Sequence, residues 1–154
     1  MLKWLWLSGL VVGLDQMTKY LAESLLRLHE PLAVLPSFNL NLMYNTGAAF
    51  SLLHDEGGWQ RWFLSGLALV VSGVLIRWLS RLETGQRWTA AALSLVVGGA
   101  IGNLIDRLAY GQVVDFIQVY YQQWFWPAFN VADSAISVGV AILLIDAVFG
   151  HREE

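Results

Sequence analysis

The chain has 154 residues, of which 56% are hydrophobic and only 14% charged. A soluble domain carries roughly a quarter charged residues, so a single integral membrane domain spanning residues 1–154 is the natural class. The net charge of -3 argues against a nucleic-acid partner, and the absence of cysteine excludes disulfides, thiolate metal sites and a cysteine nucleophile.

The N-terminus, Met1 to Leu14, has one positive charge followed by an apolar run, as a signal peptide does. No small-x-small cleavage site follows it clearly, and the run continues into Asp15-Gln-Met-Thr-Lys-Tyr20. It therefore reads as an uncleaved first membrane helix, from about Trp4 to Leu26. Asp15, Lys19, Glu23 and Arg27 recur along it at i+4 with alternating sign, so each neighbouring pair can bond. Glu23 and Arg27 read as a solvated stripe where the helix leaves the membrane. Asp15 lies deeper, which calls for a buried partner.

A loop over about residues 30–58 follows. Within it Pro36 to Tyr44 partly alternates polar and apolar residues, a strand pattern, and Asp55-Glu-Gly-Gly58 reads as a turn. The second and third apolar segments run from about Trp62 to Leu79 and from about Trp88 to Leu108. Gly98 and Gly102 have the small-xxx-small spacing that allows close helix approach. Asn103, Asp106 and Arg107 lie within one helical turn. Their plain structural reading is an ion pair and a helix–helix hydrogen bond; the competing functional reading has Asn103 hold a catalytic carboxylate or a scissile carbonyl.

A second loop, about residues 109–128, contains Val113 to Tyr121, rich in β-branched and aromatic residues and expected to be extended. The fourth apolar segment runs from about Phe129 to Phe149, and Asn130, Asp133 and Ser134 at its start are all good helix caps. Tryptophans gather at the segment ends, as interface anchors do. The expected fold is an all-α membrane protein of four transmembrane helices with a small extracytoplasmic β-sheet. Arg77, Arg81 and Arg87 border the second turn, and Lys3 and Arg152 lie at the termini. The positive-inside rule puts these in the cytoplasm. Lys19, Arg27, Arg61 and Arg107 oppose it, but Lys19 and Arg107 have carboxylates beside them in sequence.

That topology brings Asp115 and Asp133, each at the mouth of an apolar segment, to one membrane face. Two carboxylates together in a poorly solvated site share a proton, giving one acid and one base. Such a pair can activate water against a peptide bond. Two unrelated loop carboxylates, a proton-coupled transporter or channel, and a non-catalytic scaffold are the competing readings. A transporter places its carboxylates near the midplane and often shows internal repeats, and neither feature is found here. His29, His54 and His151 are scattered without metal-ligand spacing, and there is no serine-nucleophile elbow. No metal or other cofactor is expected.

Five short motifs occur together in order: Asp15-Gln-x-x-Lys19, Asn45-Thr-Gly-Ala-Ala-Phe50, Gly102-Asn-x-x-Asp-Arg107, Val114-Asp-Phe116 and Phe129-Asn-x-Ala-Asp-Ser134. The set resembles the bacterial lipoprotein signal peptidases, or signal peptidase II, over nearly the whole chain. The resemblance implies an aspartyl endopeptidase of the bacterial inner membrane, with both termini cytoplasmic and the active site near the extracytoplasmic face. It would cut diacylglyceryl-modified prolipoproteins just before the lipidated cysteine. The implied dyad is Asp115 and Asp133. Asn45, Asn103, Arg107 and Asn130 would line the site, with Asp15, Lys19 and Asp106 supporting it. Membrane lipids, a globomycin-type inhibitor and a monomeric state are also implied.

Overall fold

The computed structural model describes residues 1–47 and 58–149. The residues Ala48 to Phe50 of the second motif, His54, most of the expected turn at Asp55–Gly58, His151 and Arg152 lie outside the described residues. A short 3-10 turn, Leu2–Trp4, leads into α1, Leu5–Leu25. Two strands follow, β1 at Leu32–Leu35 and β2 at Phe38–Asn45. Then come α2, Trp59–Arg81, and α3, Arg87–Tyr110. Strands β3, Val113–Tyr121, and β4, Trp124–Phe125, precede α4, Val131–Phe149.

The four strands form one antiparallel sheet in the order β1-β2-β3-β4. Strands β2 and β3 match the two extended stretches expected from alternation and β-branching. The short outer strands β1 and β4 were not expected. A register shift between Leu40 and Met43 sits beside the pairing of Met43 with Asp115. Such bulges bend a strand and re-aim its side chains.

Helix α3 is the hub, packing against α1, α2 and α4. Glycines make the close approaches. A Cβ on Gly98 would lie 2.8 Å from Val11 Cβ and 2.9 Å from the Ser8 carbonyl of α1, and one on Gly102 would lie 2.6 Å from Asp15 Oδ2. The Gly98/Gly102 spacing thus serves the α1–α3 contact. On the other side Gly99 meets the Ala132 carbonyl, and Gly139 of α4 meets the Ala92 carbonyl. At one end of the bundle Leu79, Ala90 and Leu93 form a buried cluster. At the other, Ala22 of α1 packs with Leu42, Val114 and Phe116 of the sheet.

Among the described residues three helices, α2, α3 and α4, are long and apolar enough to cross a membrane, with mean hydropathies of 1.8, 1.6 and 2.0 over their best windows. Helix α1 is as long but carries Asp15, Lys19 and Glu23. Much of the apolar surface stays outside the bundle: Phe63, Leu67, Val70 and Val74 of α2 and Leu144 and Val148 of α4 are exposed. Continuous exposed stripes of this kind suit lipid rather than water.

Candidate active site

The site forms where the end of α3, the start of β3 and the start of α4 meet. Asn130 opens α4 as its cap. Its Oδ1 accepts the Asp133 N–H at 2.9 Å, and Asp133 Oδ2 accepts the Asn130 N–H at 3.2 Å. This reciprocal pair is a capping box, and it fixes the Asp133 side chain while it satisfies the helix end. Capping and positioning of Asp133 are therefore one arrangement. Strand β3 is tied to the same place: the Phe116 and Ile117 N–H groups donate to the Phe129 carbonyl at 3.1 and 2.9 Å, and the Phe129 N–H donates to the Ile117 carbonyl at 3.0 Å. Asp115 and Asn130 are thereby brought side by side.

Each aspartate is held by asparagine amides. Asn103 Nδ2 donates to Asp133 Oδ1 at 2.8 Å, and Asn130 Nδ2 donates to Asp115 Oδ1 at 2.7 Å. Asn45 Nδ2 donates to Asp115 Oδ2 at 3.2 Å. The two central amides are also linked, Asn130 Nδ2 to Asn103 Oδ1, at 3.1 Å. Asp115 is 3% exposed, whereas Asp133 is half-buried and more open. Burial pushes the Asp115 carboxyl up to about 7, and the charge of Asp133 adds to the rise; the Asn45 and Asn130 amides and Lys19 oppose it. The two carboxylates thus lie within reach of each other's charge, which makes ionisation of both costly.

Behind them sits a buried ionic cluster. Lys19 Nζ lies 2.8 Å from Asp15 Oδ2 and 2.7 Å from Asp106 Oδ2, and donates to Asn103 Oδ1 at 3.0 Å. Its three donors thus meet three acceptors. The i+4 pairing of Asp15 with Lys19 is as expected. An Asp106–Arg107 ion pair is not what forms: Asp106 turns to Lys19, and Arg107 turns away to donate to the Asn103 carbonyl at 3.4 Å and the Gly47 carbonyl at 3.3 Å. Neighbours in a helix point about 100° apart, so they cannot face each other. Arg107 Nε has no hydrogen-bond partner among the described residues. Gln16 was not singled out by sequence. It donates to Asp106 Oδ1 at 2.8 Å and to the Gly102 carbonyl at 3.2 Å, and its one signal was its place beside Asp15 in the first motif. Glu23 accepts from the Tyr44 hydroxyl at 3.0 Å, and Arg27 pairs with Glu30 in solvent at 3.6 Å.

Fold and site together define a helical membrane protein built around two carboxylates that can divide acid and base duties. A family model described as signal peptidase (SPase) II matches residues 7–149. The lipoprotein signal peptidase of Teredinibacter turnerae is 53% identical over 98% of this chain and 90% of its own length. That of Pseudomonas syringae pv. tomato is 54% identical over 94% of this chain and 85% of its own. Among solved structures, a bacterial membrane enzyme determined in meso at 2.3 Å resolution superposes with a TM-score of 0.84 at 27% identity, covering 99% of this chain and 93% of that one. The chain belongs to the signal peptidase II family. It is an aspartic peptidase that removes signal peptides from lipoproteins.

Proposed function

We propose that Asp115 and Asp133 are the catalytic dyad, and that the enzyme cuts diacylglyceryl-modified prolipoproteins just before the lipidated cysteine. The observation that carries this reading is the matched holding of the two carboxylates: each accepts an asparagine amide, on separate elements, and each keeps lone pairs free for a water. The ionised member of the pair takes a proton from that water, which attacks the scissile carbonyl. The protonated member gives its proton to the developing oxyanion; as the intermediate collapses it takes that hydroxyl proton back, and the other member passes the water's proton to the departing amine. Asn45, Asn103 and Asn130 keep the carboxylates oriented. Arg107 carries five donors in a fixed planar fork and is read as the group that holds substrate carbonyls.

The substrate's chemistry fits this location. An apolar signal helix is delivered by the bilayer, and acyl chains on the cysteine set its depth near the headgroups. The site lies at the sheet end of the bundle, where α1 and α3 finish and α2 and α4 begin. In our reading all four helices span the inner membrane, α1 included, because Asp15 and Lys19 face α3 and neutralise one another. Both termini then lie in the cytoplasm, and the sheet lies outside. The enzyme is read as a monomer, as the family resemblance implies. A globomycin-type cyclic peptide would occupy the substrate's place. The test is cleavage of a diacylglyceryl prolipoprotein by purified protein in detergent, read as a gel shift. Asp115→Asn or Asp133→Asn protein that inserts normally should show no shift, and substantial turnover by either refutes the dyad.

A further inference from the structure

The buried cluster around Lys19 makes two contacts that bear on the dyad from behind. Asp15 Oδ1 accepts the backbone N–H of Ala132 at 2.9 Å. Asp106 Oδ2 accepts the backbone N–H of Val114 at 3.2 Å. Ala132 immediately precedes Asp133, and Val114 immediately precedes Asp115. The two carboxylates that hold these amides are themselves joined by one cation, at 2.8 and 2.7 Å. Asp15, Lys19 and Asp106 are 0%, 3% and 1% exposed, so the linkage is dry and short.

We propose that Asp15, Lys19 and Asp106 form an ionic clamp that sets the spacing of the two aspartates, by gripping the peptide unit in front of each one from a common ammonium. This rests on the reading of Asp115 and Asp133 as the dyad. The three are positioning residues, since all act through backbone or through another side chain. The clamp has a second output. Lysine can only donate, so its bond to Asn103 Oδ1 decides which way that amide faces, and Asn103 must then present Nδ2 to Asp133. Gln16 braces the Asp106 arm, and Gly102 leaves the room that Asp15 occupies. A carboxylate–ammonium–carboxylate bridge suits such a task. Charge-assisted bonds are short and resist stretching, and a site where water is excluded keeps them so.

The clamp predicts coupled behaviour at two places far apart in sequence. In Lys19→Met protein, purified whole in detergent, backbone amide exchange followed by mass spectrometry should quicken on peptides carrying Val114 and Ala132 together. Peptides from α2 should keep the wild-type rate. Cleavage of the diacylglyceryl prolipoprotein should lose kcat by about 10- to 100-fold with little change in KM, as misplacement of reacting groups does. The alkaline limb of the pH–rate profile should move up, because a cation that lowers the Asp115 carboxyl is gone. The other groups around Asp115 stay: Asp133 on α4, Asp106 and Arg107 on α3, and the neutral amides of Asn45 and Asn130.

Should Lys19→Met fail to fold, the single variants Asp15→Asn and Asp106→Asn test each arm. A neutral amide oxygen still accepts, but more weakly. Asp15→Asn should loosen the Ala132 peptide and spare Val114; Asp106→Asn should do the reverse. Unchanged exchange at both amides, or exchange that rises across α2 as well, overturns the clamp. So does selective loosening with wild-type kcat and pH profile, which would make the bridge structural only. If the wild-type protein does not cleave the prolipoprotein, the functional reading falls, and the positioning role falls with it. The exchange pattern then still decides whether the bridge holds both peptide units.

Discussion

Asp115→Asn should abolish cleavage and at the same time stabilise the protein, by an amount that grows with pH. Burial and the neighbouring Asp133 hold the Asp115 carboxyl at about 7, against an ordinary value of 3.8. A folded-state value above the unfolded one means that the folded protein binds the extra proton. The associated stability is fully present below pH 4 and is lost as pH rises towards 7. Each unit is worth about 1.4 kcal/mol, so the wild-type protein loses about 3 kcal/mol from this group between pH 5 and pH 8. The asparagine variant loses nothing there. Its Oδ1 still accepts from Asn130 Nδ2, but its amide nitrogen meets Asn45 Nδ2, donor against donor. That mismatch costs about 1–2 kcal/mol at every pH, so it does not affect the difference between the two pH values. Thermal unfolding of both proteins in one detergent at pH 5 and pH 8 measures this directly. The melting-temperature gap should widen in the variant's favour by on the order of 5–10 °C. A gap independent of pH, or one that moves the other way, refutes the assignment of a proton-holding carboxyl to position 115.

Three further outcomes follow from the geometry. Wild-type turnover should fall as pH rises through about 7, because loss of the last shared proton leaves the dyad without its acid; a flat profile from pH 6 to 9 contradicts this. Arg107→Lys keeps the charge but loses the planar fork, so KM should rise about 10-fold and inhibition by globomycin should weaken while melting stays within a few degrees of wild type. Normal kinetics and normal inhibition in that variant exclude a substrate contact. Reporter fusions near Glu83 and after His151 should read cytoplasmic, and fusions near Glu56 extracytoplasmic; the reverse pattern puts the site on the wrong side for a secreted lipoprotein.

The parts of this structure that could be read from sequence are those governed by local periodicity and by the price of burying charge. Helical hydropathy located the four helices because their outward faces are apolar as well as their packed ones; partial alternation located β2, and β-branched and aromatic residues located β3. Strand β1 is exposed at every residue and β4 has only two residues, so neither carries a pattern of its own. Both exist through pairing with a longer neighbour. Asp115 and Asp133 stood out because each is a carboxylate at the end of an apolar run. Asp15 with Lys19 was legible because i and i+4 share a helix face.

What stayed hidden depends on contacts between distant segments. The bond from Asp15 to Ala132 N–H spans 117 positions, and that from Lys19 to Asn103 spans 84. No spacing rule announces either. An ion pair does form at Asp106, but with Lys19 of α1 rather than with Arg107, because consecutive helical residues diverge. Once α3 is turned so that Gly98 and Gly102 admit α1, Asp106 must face Lys19, and Arg107 is left for the open side beside Gly47. The glycine pair therefore does more than let two helices approach. It decides which of two adjacent charged residues is buried against Lys19 and which turns to the Gly47 side.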